Sequence, residues 1–181
     1  MTHTHASFRS PAILLAVALL AACSDRSPVD PALSLQLTKQ VAAENQALAT
    51  LRRVTARYHD LDAAIADGFI LLHDCEVRPG EGAVGMLYVQ LGRYLDGVLD
   101  PTSPDGLLYA PGPNGKPVLA GVELAIPSAM WSAPEPPEFL GVSFQSEDEF
   151  AALGLHVWVW RHNPSGMFAQ AHPGIACGAE S

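Results

Sequence analysis

The chain has 181 residues, 49% of them hydrophobic, with 19 acidic against 10 basic side chains and a formal net charge of −9. That length suits one domain with a true core. The acidic balance argues against nucleic acid and anionic membrane surfaces as partners, because those are gripped by clustered Lys and Arg.

Arg9 precedes the apolar run Pro11 to Ala22, which ends in small residues. The run has the length of a signal-peptide core and falls short of the ~20 residues a membrane-spanning helix needs. Leu20-Ala21-Ala22-Cys23 resembles the bacterial lipobox, which implies cleavage before Cys23 and lipidation of that cysteine. Ser24 in place of an aspartate implies the outer membrane, facing the periplasm or the outside. On this reading residues 1–22 are a signal peptide that takes His3 and His5 with it, and residues 23–32 form a tether. The membrane is then a partner through the lipid on Cys23. Removing 22 residues from 181 leaves 159, and losing Arg9 but no acid takes the charge from −9 to −10.

Of the three cysteines, Cys75 and Cys177 remain once Cys23 is assigned to lipid. An exported protein meets an oxidising compartment, and neither cysteine sits in a C-x-x-C, so the pair is expected to form a disulfide.

From Leu33 to Ala66 the pattern is helical, with Leu48, Leu51, Val54, Tyr58, Leu61 and Ile65 on one stripe and Gly68 placed to stop the helix. Phe69 to Leu72 reads as a short buried strand and Met86 to Val89 as another. Leu107 to Tyr109 and Val118 to Ile126 flank Pro111 to Pro117 as a hairpin. In the second arm Val118, Ala120, Val122, Leu124 and Ile126 share a face, and Glu123 points the other way. Pro127 to Pro137 is a surface loop. Ser146-Glu147-Asp148-Glu149 has the form of a capping box before a brief helix. Leu155 to His162 alternates most clearly, with Leu155, Val157 and Val159 on one side and His156, Trp158, Trp160 and His162 on the other. One long helix followed by several strands predicts an α+β domain, the helix packed on a mostly antiparallel sheet.

Gly80-Glu81-Gly82-Ala83-Val84-Gly85 spells G-x-G-x-x-G, but a dinucleotide site needs a strand before it and a helix after it. Here a long helix precedes and a strand follows, so the motif is rejected. Ser165 lies in a Pro-Ser-Gly turn, not in G-x-S-x-G. His73, Asp74, Glu76, Glu123, His156, His162 and His172 are candidate metal ligands on different elements, since a sheet can bring single His and Glu side chains onto one ion. No close pair such as H-x-H or H-E-x-x-H marks them. The plainer reading of His156 is a hydrogen-bonded histidine paired with Glu123. Trp158 and Trp160 with Tyr88 or Tyr109 suit either a pocket wall or core.

Most of the chain after the long helix falls into recognisable blocks: Ala66-Asp67-Gly68-Phe69, Cys75, Gly82 to Val89, Leu107-Leu108-Tyr109, Gly121-Val122-Glu123 and Leu155 to Trp160. They continue through Asn163 to Phe168 and Pro173 to Cys177. Together these blocks resemble an uncharacterised family of exported bacterial proteins, and the resemblance implies fold and export more than activity. Members carry a histidine just before the tyrosine of the glycine block and an acid after the tyrosine of the Leu-Leu-Tyr block. Here Leu87 and Ala110 stand in those places. If the family builds a His/Glu/His constellation on neighbouring strands, this chain keeps only Glu123 and His156 of it. It has then lost the site or rebuilt it with His162 or His172.

The sequence thus predicts a single α+β domain over residues 33–181 with one disulfide. The leading functional expectation is a non-enzymatic envelope protein that holds a small ligand near His156, Glu123, Trp158, Trp160, Tyr109 and Tyr88. The alternatives are a divalent transition metal on His156 and Glu123, an enzyme using that pair as acid and base, and a purely structural lipoprotein.

Overall fold

The computed structural model describes residues 31–178. The expected signal peptide, Cys23 and residues 23–30 of the tether lie outside the described residues. Among those described, no helix is long and apolar enough to cross a membrane.

Helix α1 (Pro31–Thr55) starts two residues before the expected boundary. Its composition of Ala, Leu, Gln and Glu favours helix throughout. Only its second half is packed. Leu33, Leu35, Leu37 and Val41 are about half exposed, whereas Leu51 and Thr55 are buried. A 3-10 turn (Ala56–His59) then breaks the expected continuous helix, and the Asp60 carboxylate accepts the Asp62 N–H to start α2 (Leu61–Ala66). Gly68, at φ +86°, closes α2: its N–H donates to Ile65 O while that of Phe69 reaches Ala64 O. This double bond pattern needs a left-handed residue, which glycine adopts without penalty. The break also rotates the stripe, so Ala64 is buried and Ile65, expected in the core, is exposed.

Six antiparallel strands follow: β1 (Ile70–Arg78), β2 (Gly82–Val89), β3 (Gly106–Pro111), β4 (Pro117–Pro127), β7 (Gln145–Glu147) and β8 (Ala152–Val157). They form one curled sheet in the order β1-β2-β3-β4-β8-β7. A short helix α3 (Leu91–Tyr94) lies between β2 and β3, and β5 (Glu138–Phe139) with β6 (Val142–Ser143) makes a separate ribbon. The glycine-rich motif lies at the β1–β2 hairpin, as its rejection as a nucleotide loop requires. Gly82 and Gly85 are needed there because a Cβ would sit 2.3 Å from His172 O and 2.4 Å from Tyr109 O respectively.

The sheet has two apolar faces. One packs on the helices through Leu107, Tyr109, Leu119, Val122, Leu124, Leu155 and Val157, meeting Leu51, Tyr58, Ala64 and Phe69. The other gathers Ala83, Leu87, Leu108, Ala110, Ala120, Trp158 and Ile175, with the Cys75–Cys177 disulfide against it. That bridge has an S–S distance of 2.07 Å and spans 102 residues of sequence. The single α+β domain and its disulfide match the expectation.

Several local readings change. The apolar run after Phe69 is a strand, but an edge strand, and Ile70, Leu71 and Leu72 are exposed. Opposite Leu108 and Tyr109 of β3 the register shifts by one residue in β4, which puts Leu119 on the helix side and Ala120 on the other and splits the expected five-residue face. The Ser146 segment is strand β7, followed by a 3-10 turn (Asp148–Phe150), not a capped helix. Ser146 Oγ bonds Asp148 Oδ1, a contact local to the turn.

Candidate functional site

The row His156, Trp158, Trp160, His162 does not survive as one face, because β8 ends at Val157. Val159 N–H turns back to Val157 O at 2.8 Å, and both Trp160 N–H and Arg161 N–H reach Ala120 O. Trp158 stays on the disulfide side, with its indole N–H on Ala169 O. Trp160 joins the helix side, donating to Thr55 Oγ1 and packing on His59. Trp158 and Trp160 line a cavity of about 450 Å³ together with Arg52, His162 and Asn163. Tyr109 lies in the helix-side core with its hydroxyl on Tyr58 O, and Tyr88 packs edge-on against it.

His156 and Glu123 do come together. They are direct cross-strand partners in β8 and β4, and both are buried, at 2% and 3% exposure. The third member is Glu147 of β7, which the sequence reading assigned to a helix cap. His156 Nε2 lies 3.9 Å from Glu123 Oε1 and 3.8 Å from Glu147 Oε1, beyond hydrogen-bond range. One ligand atom from each of the three residues falls within a 4.8 Å cluster. Among the described residues Glu147 Oε1 has no hydrogen-bond partner.

Two glycines make the space. Gly106 pairs with Glu123 across β3–β4, and a Cβ there would lie 2.8 Å from Glu123 Oε2. At Gly154, two residues before His156 and on its face, a Cβ would lie 2.7 Å from Glu147 Oε1. Carboxylates can occupy this level of the sheet only because neither neighbour carries a side chain.

The electrostatics are strained. His156 Nδ1 is 2.8 Å from Gln170 O, an acceptor, so Nδ1 carries the proton and Nε2 presents a lone pair to the two carboxylates. Burial holds the His156 pKa down, disfavouring the imidazolium that would relieve the contact. Burial pushes the Glu123 carboxyl well above the usual range, and the charge of Glu147, a carboxyl–carboxyl hydrogen bond with it and the charge of Asp105 act in the same direction. Three acceptors therefore face one another in a dry place, an arrangement that needs a shared proton or a cation.

Asp105 lies beside the cluster, 2% exposed, with Oδ2 accepting Ala125 N–H at 3.0 Å and Oδ1 unpartnered. Burial raises its pKa to about 6. Leu87 also falls here: its Cδ1 comes within 3.1 Å of a Cβ built on Gly106. Ala110 is buried on the disulfide side.

The other candidate ligands are elsewhere. His73 bonds Asp74 O, stacks on Phe150 and lies 4.0 Å from Glu76. His172 is buried with both ring nitrogens engaged, Nε2 with His162 O and Nδ1 accepting from Gly174 N–H. The site is completed by Glu147 and not by His162 or His172. Comparison with protein-family models, curated proteins and solved structures finds no match to this chain.

Proposed function

We propose that this chain is a metal-binding protein, in which His156, Glu123 and Glu147 hold one divalent transition ion. One observation carries the reading: a buried neutral imidazole, fixed by its Nδ1–H on Gln170 O, turns its Nε2 lone pair towards the buried Glu123 carboxylate and the partly buried Glu147 carboxylate, 3.9 and 3.8 Å away. The three donor atoms lie within 4.8 Å of one another, so an ion bonded to each at about 2 Å draws them together by up to about half an ångström. A backbone carbonyl on the far nitrogen is the usual companion of a metal-bound histidine, since it sets the tautomer and the ring orientation. One nitrogen and two oxygens suit zinc, manganese or iron(II) more than copper(I), which prefers sulfur. The ion would also offset the charge that burial penalises at Glu123.

Export and lipid anchoring at Cys23 belong to the same proposal. They draw support from the Cys75–Cys177 disulfide, a feature of oxidising compartments. The test is metal analysis of protein purified without a polyhistidine tag and reconstituted with zinc. The expected result is stoichiometric zinc in the wild type, lost in His156→Ala. A wild type that takes up no stoichiometric metal, with zinc, manganese and iron(II) each tried, sinks the reading.

A further inference from the structure

Three protein donors leave a tetrahedral ion with one open position. A cavity of about 160 Å³ borders two of those donors, Glu123 and Glu147. Its walls are otherwise mostly apolar, with Leu87, Leu91, Tyr94, Phe150 and Ala125 among them. Leu72 and Leu91, 39% and 42% exposed, give it an apolar mouth beside the edge strand. Engineered cavities of about 150 Å³ accept benzene, so the volume corresponds to a single ring.

One polar group in this wall is unexplained by the metal. Asp105 is 2% exposed, and its Oδ1 has no hydrogen-bond partner although Oδ2 is tied to Ala125 N–H. A buried acceptor left unpaired is costly, and a ligand hydroxyl arriving in the cavity would remove that cost. The cavity therefore joins a ring-sized apolar chamber to two of the metal's carboxylates and to Asp105, whose sealed Oδ1 a ligand hydroxyl would reach once the carboxyl shifts towards it.

We infer that the cavity is a ligand site for a one-ring dihydroxybenzene of the catechol class, with one oxygen on the metal and the second hydroxyl donating to Asp105. The inference rests on the metal reading above. The ring fills the space between Leu87, Leu91, Tyr94 and Phe150, and enters between Leu72 and Leu91. An amine of similar size is the chemical rival, since its ammonium would suit three carboxylates. It would compete with the ion for Glu123 and Glu147 and so bind the metal-free protein.

The test is calorimetric titration of zinc-loaded protein with catechol, with zinc content measured before and after. Catechol should bind the zinc-loaded protein and not the metal-free one. Phenol, lacking the second hydroxyl, should bind about tenfold more weakly, and Asp105→Asn should weaken catechol by a similar factor. Ala125→Leu fills the chamber from its wall and should abolish catechol binding while zinc content stays at the wild-type level. Leu72→Trp, at the exposed mouth where folding is not at stake, should weaken catechol at least about tenfold by blocking the path a ring-sized ligand needs. It decides the matter if Ala125→Leu does not fold. Zinc-loaded protein that ignores catechol overturns this inference alone, as does catechol that strips the zinc or binds both cavity variants like wild type. Benzylamine binding to metal-free protein and displaced by zinc also overturns it in favour of an amine. Absence of stoichiometric metal, with zinc, manganese and iron(II) each tried, removes the metal reading and this inference together.

Discussion

His156 and His172 are buried to the same degree, 2% and 3% exposed, and both touch Trp158 edge-on. They differ in what their nitrogens meet. His172 donates one N–H to His162 O and accepts Gly174 N–H at the other nitrogen, so its neutral form is fully satisfied by backbone. His156 is satisfied on one side only, and its free nitrogen faces two carboxylates. Burial does not separate a scaffold histidine from a site histidine; the chemistry of the second partner does. A backbone carbonyl and amide close the account at His172, while acceptors on both sides leave His156 needing a proton or a cation.

The largest effect should come from the segment that both histidines depend on. Residues 162–174 supply His162 O, Gly174 N–H and Gln170 O, and Cys177 staples the end of that segment to β1. Replacing both cysteines by Ser should cost about 4–5 kcal/mol by the loop-entropy relation, measured by denaturant unfolding, and should weaken metal binding as well. A variant with unchanged stability would show that the bridge contributes nothing to holding either histidine.

Next in size is the direct contrast. His156→Ala should lower zinc affinity by more than the roughly 10–100-fold that losing an outer hydrogen-bond partner costs. His172→Ala should leave zinc affinity within a few-fold and cost about 2–3 kcal/mol of stability, because it strands a buried carbonyl and an amide. Zinc titration and thermal unfolding of both variants read the two effects separately, and a reversal of the pattern would break the comparison.

The pH dependence sharpens it further. The Asp105 carboxyl, raised by burial to about 6, contributes stability that is complete below its unfolded value near 3.8 and is lost as pH rises through 6. Burial moves His156 the other way, so its contribution is present above the ordinary histidine pKa and lost as pH falls below it. Comparing Asp105→Asn with wild type, both metal-free, cancels the histidine. The variant should gain on wild type between pH 4 and pH 7.5, by up to about 3 kcal/mol. A difference that does not change with pH would mean Asp105 ionises as it does in water.

The smallest expected change is a gain. Leu87→His would place a second imidazole at the edge of the cluster, where Leu87 Cδ1 already lies beside Gly106 and Glu123. Zinc affinity should rise about tenfold if the new nitrogen reaches the ion, and competition with a chelator of known affinity would measure it. A fall in affinity would show that the position is too crowded for a ring.

Much of this was legible in the residues. Alternation placed Glu123 and His156 opposite aliphatic stripes, the cysteine count gave the bridge, and Gly68 marked the helix end. Glu147 was not legible. A three-residue strand is too short to show a period, and Ser-x-x-Glu spelling outweighed it. Trp160 was misplaced because periodicity cannot see that Ala120 O captures the chain three residues after β8 ends. The split face of β4 has a similar cause, a register shift opposite Leu108 and Tyr109 that leaves Ala120 without a partner in the β3–β4 ladder. In each case a pairing with another strand decided the outcome, and such pairings leave little trace in the local pattern.

The unpacked half of α1 has a mechanical consequence. Residues 31–43 are exposed, and at about 1.5 Å per residue they form a rod about 20 Å long. A coil of that length fixes only a maximum reach, whereas a helix fixes a separation and a direction. Whatever is joined to Pro31 is thus held at a set standoff from the sheet, and a force or tilt applied there is delivered to the domain at Leu48 and Leu51.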